Sequence, residues 1–453
     1  MLSDPIVALA TPPGRSAIAV VRLSGTRAFD VAARCLRPFH PDRPRAALRA
    51  RLVHPTTDEH VDDVVAAAFP APRSYTGEDV VEISTHGGLL VPGEAVAALV
   101  AAGARPAQPG EFTRRAVLNG KLDLLQAEAT ADLIDAGAPA QRRRALRQLD
   151  RGLSARLEAL RGELLELEAL IAYDIDFPEE DEGPVSPARV TAAWRAVRDR
   201  IAALLATAPE GERLREGALL VIAGRPNAGK SSLFNALLGQ ERAIVTEVPG
   251  TTRDAIEAYA VIAGFPFRLV DTAGLRDSND RVEKIGIAVA RQYLGAADLV
   301  LFCRDAGCPK GLPDGREMGD AESERFVAAC HAPVVEVVTK VDLAAHSPDG
   351  LGVSVVTGDG LPALRARLAE AAFGRLLALG DVEPVVTRAR HRTALERALA
   401  EAEAFYAARE RGVDAAAAAT HLRAAVGALD DLIGVVTPDD VLDRLFASFC
   451  VGK

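Results

Sequence analysis

Long apolar runs are missing from the chain. No stretch approaches the ~20 residues that a membrane-spanning helix requires, and the N-terminus has no charged-then-apolar signal pattern. The expectation is a cytoplasmic protein without a membrane partner. Aromatic residues are scarce at 4%, so within the 49% hydrophobic fraction Ala and Leu carry the apolar load, and much of the chain should be helical. Cysteines are few: Cys35, Cys303, Cys308, Cys330 and Cys450 are odd in number, scattered, and never form a C-x-x-C pair with partner histidines. That argues against a disulfide framework and against structural zinc. An excess of positive charge is missing too. A net charge of −10 is incompatible with a surface coated for nucleic acid, so any RNA contact must be local.

At 453 residues the chain exceeds one ordinary core, and at roughly 150 residues per domain it predicts about three units. The first part alternates short β-type runs (Ile6–Ala10, Ala17–Leu23, Val64–Phe69, Val80–Thr85) with Pro- and Gly-rich loops, a small α+β pattern. From about Leu122 the strand signals stop. Leu146, Leu149, Leu153, Leu157, Leu160 and Leu164 recur at three- and four-residue steps and predict one apolar helical stripe. The acidic segment Pro178–Pro187 reads as a solvated connection. After Glu216 apolar strands (Ala218–Ala223, Phe267–Val270, Asp298–Phe302, Val334–Val338) alternate with helices, which predicts a parallel sheet covered on both faces. Helical patterns return in Arg392–Arg409 and Ala415–Ile433. The fold class expected is multidomain α/β plus α: a small α+β domain over 1–119, a discontinuous helical bundle over 120–215 and 379–453, and an inserted P-loop domain over 216–378.

Gly224-Arg225-Pro226-Asn227-Ala228-Gly229-Lys230-Ser231 follows a predicted strand and opens a helix, the setting a P-loop needs. Its glycines let backbone amides curl around phosphate oxygens, the helix N-terminus adds positive potential, and Lys230 reaches the outer phosphates. Ser231 would ligate Mg²⁺. Asp271-Thr272-Ala273-Gly274 ends the next strand, where the carboxylate can hold Mg²⁺ through water and the Gly274 amide can sense the γ-phosphate. Between them, Gly250-Thr251-Thr252 reads as a switch loop with Thr252 completing the metal shell. In Thr339-Lys340-Val341-Asp342 the carboxylate of Asp342 can accept both hydrogen bonds from a guanine edge, and Ser354-Val355-Val356 would line the base. The residues expected from these motifs to contact GTP are Asn227, Ala228, Gly229, Lys230, Ser231, Ser232, Gly250, Thr251, Thr252, Asp271, Thr272, Ala273, Gly274, Thr339, Lys340, Asp342, Ser354, Val355 and Val356.

Two departures stand out. The base motif begins with Thr339 where Asn is usual, and Thr hydrogen-bonds less extensively. Leu275 follows Asp-Thr-Ala-Gly where Ras-type GTPases place a water-orienting Gln, and a leucine cannot orient water. Glu283, in the adjoining stretch, is an acidic candidate for that task; read alone it is a first-turn helix carboxylate.

Four further stretches carry a more specific likeness. They are Ala10–Arg15 with Arg22–Gly25, Ser74–Glu82 with His86–Gly88, Pro109–Arg115 through Asn119–Leu124, and the terminal Phe449-Cys450-Val451-Gly452-Lys453. With the P-loop elements they resemble the MnmE (TrmE) family of bacterial tRNA wobble-uridine modification GTPases over essentially the whole chain. The resemblance implies a folate-binding N-terminal domain that also dimerises. It implies Arg22, Glu82, Lys121 and Lys453 as the pocket for a 5-formyl- or 5,10-methylene-tetrahydrofolate, although Arg22 and Lys121 taken singly are ordinary surface charges. It further implies that Thr246, Glu247, Val248 and Pro249 contact GTP, that a K⁺ held by Asn227, Thr246, Val248 and Thr251 replaces an arginine finger when two G domains of a homodimer pair, and that Glu283 is the water-activating acid. The implied reaction uses a flavoprotein partner, MnmG, in a heterotetramer to install a carboxymethylaminomethyl or aminomethyl group at C5 of the wobble uridine, position 34, of certain tRNAs. GTP hydrolysis then serves as a conformational drive. Lys230, Glu283 and Cys450 are the candidate catalytic residues; Cys450 is either a nucleophile helped by Lys453 or a small apolar filler. His86 reads either as a folate-site residue or as a turn histidine, and Arg142–Arg144 and Arg388–Arg392 either as phosphate contacts or as solvated faces. The competing functions are an Era-type ribosome-assembly or signalling switch and a dynamin-like GTPase; the latter lacks its basic amphipathic helix here.

Overall fold

The computed structural model describes residues 4–176, 186–225, 227–239, 257–271, 292–307, 331–344, 350–380, 383–434, 442, 446–447 and 449–452. The chain divides into two compact units, Met1–Ala131 with Asp430–Lys453, and Asp132–Leu429.

In the first unit the elements run β1 (Ile6–Leu9), β2 (Gly14–Ser24), α1 (Ala28–Cys35), β3 (Leu36–Arg37), β4 (Leu48–Val53), β5 (His60–Phe69), β6 (Val80–Gly88), α2 (Val91–Ala101), β7 (Arg105–Pro106), α3 (Glu111–Leu118) and α4 (Leu124–Asp135). The strands form one sheet in the order β3-β4-β5-β6-β2-β1-β7, antiparallel apart from the β1–β7 pair. Alternation along the strands sends Val21, Leu23, Ile83 and Val64 to one face, where α1 and α2 cover them with Ala28, Val31, Ala98 and Leu99. Along β1 the alternate residues Ile6 and Ala8 face the other way and pack on Phe112 of α3. Near the C-terminus Leu442, Phe446 and Phe449 bury themselves against Leu124 and Ala127 of α4. β4 is legible only afterwards: its sequence LRARLV alternates buried and exposed positions, but arginine and leucine are as helix-prone as strand-prone.

In the second unit the described elements are α5 (Pro139–Leu149), α6 (Gly152–Asp176), α7 (Pro187–Leu205), α8 (Ala208–Glu216), β8 (Ala218–Gly224), α9 (Lys230–Leu238), β9 (Glu257–Ile262), β10 (Phe265–Asp271), β11 (Leu299–Asp305), β12 (Val334–Thr339), β13 (Gly352–Val353), α10 (Leu361–Leu379), α11 (Ala389–Glu410) and α12 (Ala415–Ile433). The sheet order is β13-β12-β11-β8-β10-β9, parallel except for edge strand β9. It is covered on both faces, as expected for a parallel sheet: Leu220, Ile222, Leu269 and Leu301 pack under α9 and α10, while Leu219, Val221, Val270 and Val300 form a core on the opposite side. β9 and β10 are joined by Ala263-Gly264, both at positive φ (50° and 82°), a tight hairpin turn.

One helical expectation is corrected. The leucine stripe is not continuous, because α5 ends at Leu149 and α6 begins at Gly152, with Arg151 between them at φ 62°. Leu153, Leu157, Leu160 and Leu164 are buried, whereas Leu146 is exposed. The i, i+3/i+4 spacing runs through the break, so periodicity alone could not reveal it. Among the helices, Trp194 of α7 stacks on Tyr406 of α11 at 3.9 Å and donates its indole N–H to the Ala402 carbonyl at 2.8 Å. The acidic stretch before Pro187 lies largely outside the described residues; Ser186 caps α7 by accepting the Arg189 amide.

Candidate functional site

β8 lies between β11 and β10 at the centre of its sheet, and its carboxyl end carries the glycine loop. This is the edge at which open α/β sheets place ligands. Gly224 has φ 145° and runs so close to β11 that a Cβ would stand 2.4 Å from the Cys303 carbonyl oxygen; any side chain there would push the loop off the sheet. Asn227 at φ 60° and Gly229 at φ 75° curl the loop into α9, whose first residue is Lys230. The Lys230 ammonium is largely buried and donates to the Arg225 carbonyl at 2.6 Å, inside the loop it would serve. Ser231 Oγ donates to Asp271 Oδ2 at 2.6 Å, so the hydroxyl opening α9 meets the carboxylate ending β10. Two hard oxygen donors converging in this way suit Mg²⁺. Ser232 is exposed on the next position of the helix.

The base side is built on β11 and β12. Thr339 is buried at 2% exposure, and its hydroxyl lies 2.8 Å from the Ala228 carbonyl and 2.9 Å from the Arg304 carbonyl. It therefore ties β12 to the P-loop and to β11, the task expected of Asn, though one hydroxyl proton can satisfy only one carbonyl at a time. Lys340, at φ 58°, donates from Nζ to the Asn227 carbonyl at 2.7 Å and to Asp305 Oδ2 at 2.6 Å. The Lys340 hydrogen bond and the Gly307 amide hold the Asp305 carboxyl below its usual range. Asp342 is exposed in the short turn Val341–Leu343. Ser354 is buried, follows the strand residue Val353 that pairs with Thr339, and accepts the Thr357 amide; Val355 is half-buried and Val356 exposed. Asp305 was not singled out from sequence. Its signal is its place at the carboxyl end of an apolar strand. Buried Cys303 beneath the loop has its thiol pushed up to about 12 by burial, which makes it an inert packing residue.

Thr246, Glu247, Val248, Pro249, Gly250, Thr251, Thr252, Thr272, Ala273, Gly274, Leu275, Glu283 and Lys453 lie outside the described residues. Of the four expected K⁺ positions, Asn227 alone is described.

In the first unit, the motif stretches converge on α3. Arg115 is 1% exposed and donates to Glu78, Glu111 and the Asp4 carboxylate at 3.0, 3.0 and 3.1 Å. Glu111 is pushed up by burial, but donors from Arg105, the Gln108 amide and Arg115 outweigh this and hold it below the usual carboxylate range. Ser24 Oγ donates to Glu78 and pairs with Thr76, while Asn119 donates to the Thr76 carbonyl at 2.7 Å. On this base sits Arg22, which donates from Nη2 to Glu82 Oε1 at 2.8 Å and from Nη1 to the Gly452 carbonyl at 3.2 Å. Its guanidinium lies 5.3 Å from the Tyr75 ring and 5.8 Å from that of Phe112. Tyr75, in turn, is fixed by a 2.8 Å hydrogen bond to Thr113. A partly open carboxylate, a guanidinium and a half-buried aromatic ring are a donor and acceptor set that fits a pterin.

Two glycines bring the C-terminal segment to this place. Gly452, at φ 103°, would put a Cβ 2.4 Å from the Leu9 carbonyl oxygen, and Gly110, at φ 66°, would put one 2.9 Å from the Phe446 carbonyl oxygen. The Gly110 amide donates to the Cys450 carbonyl. Cys450 is exposed, so its reading as a buried apolar filler does not hold. Lys121 joins neither Arg22 nor Glu82; its ammonium donates to the Pro72 carbonyl at 3.0 Å. His86 lies within β6, not in a turn: its backbone amide donates to Asp62 Oδ2 and its Nδ1 lies 2.7 Å from Asp62 Oδ1. The basic clusters are partly spent on internal contacts, with Arg144 on the Glu383 carbonyl and Arg388 on Asp132.

The family model described as MnmE helical domain matches residues 124–450, and that described as GTP-binding protein TrmE N-terminus matches residues 5–121. Proteins named tRNA modification GTPase MnmE align end to end. One from Thermus thermophilus is 44% identical, covering 100% of this chain and 99% of its own length. Those of Moorella thermoacetica and Aquifex aeolicus are each 40% identical, covering 100% of both chains. The P-loop edge, the converging N-terminal motifs and this end-to-end identity agree: the chain belongs to the MnmE family of tRNA modification GTPases.

Proposed function

We propose that this protein is a GTP hydrolase that acts with the flavoprotein MnmG on the wobble uridine, position 34, of certain tRNAs, adding a carboxymethylaminomethyl or aminomethyl group at C5. The observation that carries the GTPase half is the 2.6 Å contact between Ser231 Oγ and Asp271 Oδ2, with the Lys230 ammonium held inside the same loop. On this reading Lys230 moves from the Arg225 carbonyl to the outer phosphates, and Ser231, Asp271 and Thr252 hold the metal shell. Thr339 and Lys340 brace the loop while Asp342 reads guanine. Thr246, Glu247, Val248, Pro249 and Gly250 precede the metal ligand Thr252 in the switch, and Thr272, Ala273 and Gly274 answer to the γ-phosphate. Glu283 orients the attacking water, because Leu275 cannot. When bound, Mg²⁺ and a K⁺ at Asn227, Thr246, Val248 and Thr251 supply countercharge for the developing phosphate anion as the G domains of a homodimer pair.

In the N-terminal unit Glu82, beside Arg22, accepts from the donor edge of a tetrahydrofolate pterin, while Lys121 and Lys453 answer its anionic tail. That cofactor, when bound, supplies the one-carbon unit. Cys450, exposed beside Gly452, is the candidate nucleophile. The test is a reconstitution of the protein with the flavoprotein partner, tRNA, GTP, methylenetetrahydrofolate as the carbon source and ammonium or glycine as the amine source, followed by nucleoside mass spectrometry. A modified uridine that vanishes when folate is omitted is the expected result. GTP turnover without any change in the tRNA would favour an Era-type switch instead.

A further inference from the structure

The helix that leads into the nucleotide sheet carries charged side chains that the nucleotide site does not use. They answer a defect elsewhere. α10 is not one continuous helix: Phe373 has φ −136° and ψ 27°, and its ring is fixed against Phe265 at 4.7 Å and Phe267 at 5.6 Å. Such a break strands carbonyls before it and amides after it. Both sets are met by α8. The Glu210 carboxylate accepts the Arg375 amide at 3.2 Å and the Leu376 amide at 2.8 Å, capping the second half of α10 from a neighbouring helix. Arg213 Nη1 donates to the Ala372 carbonyl at 3.5 Å.

The same arginine reaches the base of the P-loop strand. Arg213 Nε donates to Asp298 Oδ1 at 2.8 Å, and Asp298 Oδ2 accepts the Leu219 amide, near the start of β8, at 2.9 Å. α8 also grips the chain that returns from the nucleotide domain. Thr207 Oγ1 accepts the Val386 amide at 3.0 Å, and Gly211 passes so close that a Cβ would stand 2.0 Å from the Val386 carbonyl oxygen. One short helix thus holds the entry strand, the broken last helix and the return segment together.

We propose that Glu210 and Arg213 are positioning residues that couple GTP hydrolysis to tRNA modification, by making α8, β8 and the end of α10 move as one piece. The inference rests on the function proposed above. A displacement that begins at the carboxyl end of β8 is passed down the strand to Asp298 and Arg213, and from there to α10 and the returning chain. With the clamp cut, the break at Phe373 becomes a free hinge and absorbs the displacement. Neither residue lies among those that would touch nucleotide, so the chemistry of hydrolysis is left in place.

The experiment uses the full-length protein with its flavoprotein partner and compares Glu210→Ala, Arg213→Ala, Glu210→Gln and Arg213→Lys. For each, kcat and KM for GTP are measured alongside the number of tRNAs modified per GTP hydrolysed, with thermal melts to confirm folding. The expected result is GTP kinetics within about twofold of the parent and a coupling ratio at least about fivefold lower in the two alanine variants. Glu210→Gln, which keeps one acceptor, should recover part of the ratio. An unchanged ratio, or hydrolysis and modification falling together in proportion, overturns the proposal. An alanine variant that fails to fold leaves the decision to the Gln and Lys variants, where a parental ratio overturns it likewise. If the parent protein hydrolyses no GTP or modifies no tRNA, the proposed function has failed, which is visible before any variant is compared.

Discussion

Replacing Arg115 by Met should destabilise the N-terminal unit more than any other single change in its motif stretches. The side chain is 1% exposed and serves three carboxylates, of which Glu78 and Glu111 are themselves at most 10% exposed. Methionine fills similar volume, so little cavity forms, and the cost is that of leaving buried carboxylates short of a cation. Breaking one buried pair in this way costs about 3–5 kcal/mol. Glu111 keeps Arg105 at 2.6 Å, whereas among the described residues Glu78 keeps the Ser24 hydroxyl at 3.1 Å and no second cation, so most of the loss falls on Glu78. Asp4, half exposed, contributes little. The expected loss is therefore about 3–5 kcal/mol, and Arg115→Lys, a point charge without the planar fork, should lose less.

The assay is urea unfolding by far-ultraviolet circular dichroism beside tryptophan fluorescence. The single tryptophan, Trp194, lies in the other unit, so the variant should show a dichroism transition shifted to lower urea while the fluorescence midpoint stays put. The pH dependence gives a second check. Glu111 is held below its ordinary value of 4.5, so its contribution is present above that value and is lost as pH falls through the lowered native one. The gap between parent and variant should be full at neutral pH and shrink in acid. A loss below about 1 kcal/mol, the scale of an exposed pair, or a gap that widens in acid, would refute the reasoning.

Other outcomes follow from the same geometry. Asp342→Asn reverses the hydrogen-bonding sense toward the base, so KM for GTP should rise by about tenfold or more and xanthosine triphosphate should become a substrate, both read by phosphate release. Gly452→Ala, which sets a Cβ against the Leu9 carbonyl oxygen, should dislodge the segment that Arg22 holds and weaken tetrahydrofolate binding by calorimetry while leaving GTP turnover unchanged. Cys450→Ser should abolish tRNA modification in the reconstituted pair without altering GTP hydrolysis; unchanged modification would sink the nucleophile assignment.

Much of the second unit was legible because its chemistry is local in sequence. A glycine loop after an apolar strand, a carboxylate at the end of the next strand and Thr339-Lys340-Val341-Asp342 after another are each contiguous, and the contacts of Ser231 with Asp271 and of Thr339 with Ala228 join what the motifs had separated. What escaped was set by long-range packing. Arg22 meets the carbonyl of Gly452 across 430 positions, and nothing in the local sequence of Arg22 predicts that partner. His86 reads as a turn residue because two glycines follow it, yet pairing with Ile18 of β2 and the Asp62 carboxylate keep it in a strand. The break between α5 and α6 hides within an unbroken leucine rhythm, because Arg151 adopts a positive φ that no spacing announces. The break in α10 is hidden in the same way: Phe373 is an ordinary core residue by pattern, and its departure from helix is stabilised by Glu210 and Arg213 from another helix.

The central claim is that Leu275 removes the usual means of orienting water and that a monovalent cation at Asn227, with paired G domains, supplies the lost charge stabilisation. The most direct measurement is GTP hydrolysis by the purified protein in K⁺ and in Na⁺ at matched ionic strength. The account predicts strong acceleration by K⁺; equal rates in the two salts would contradict it.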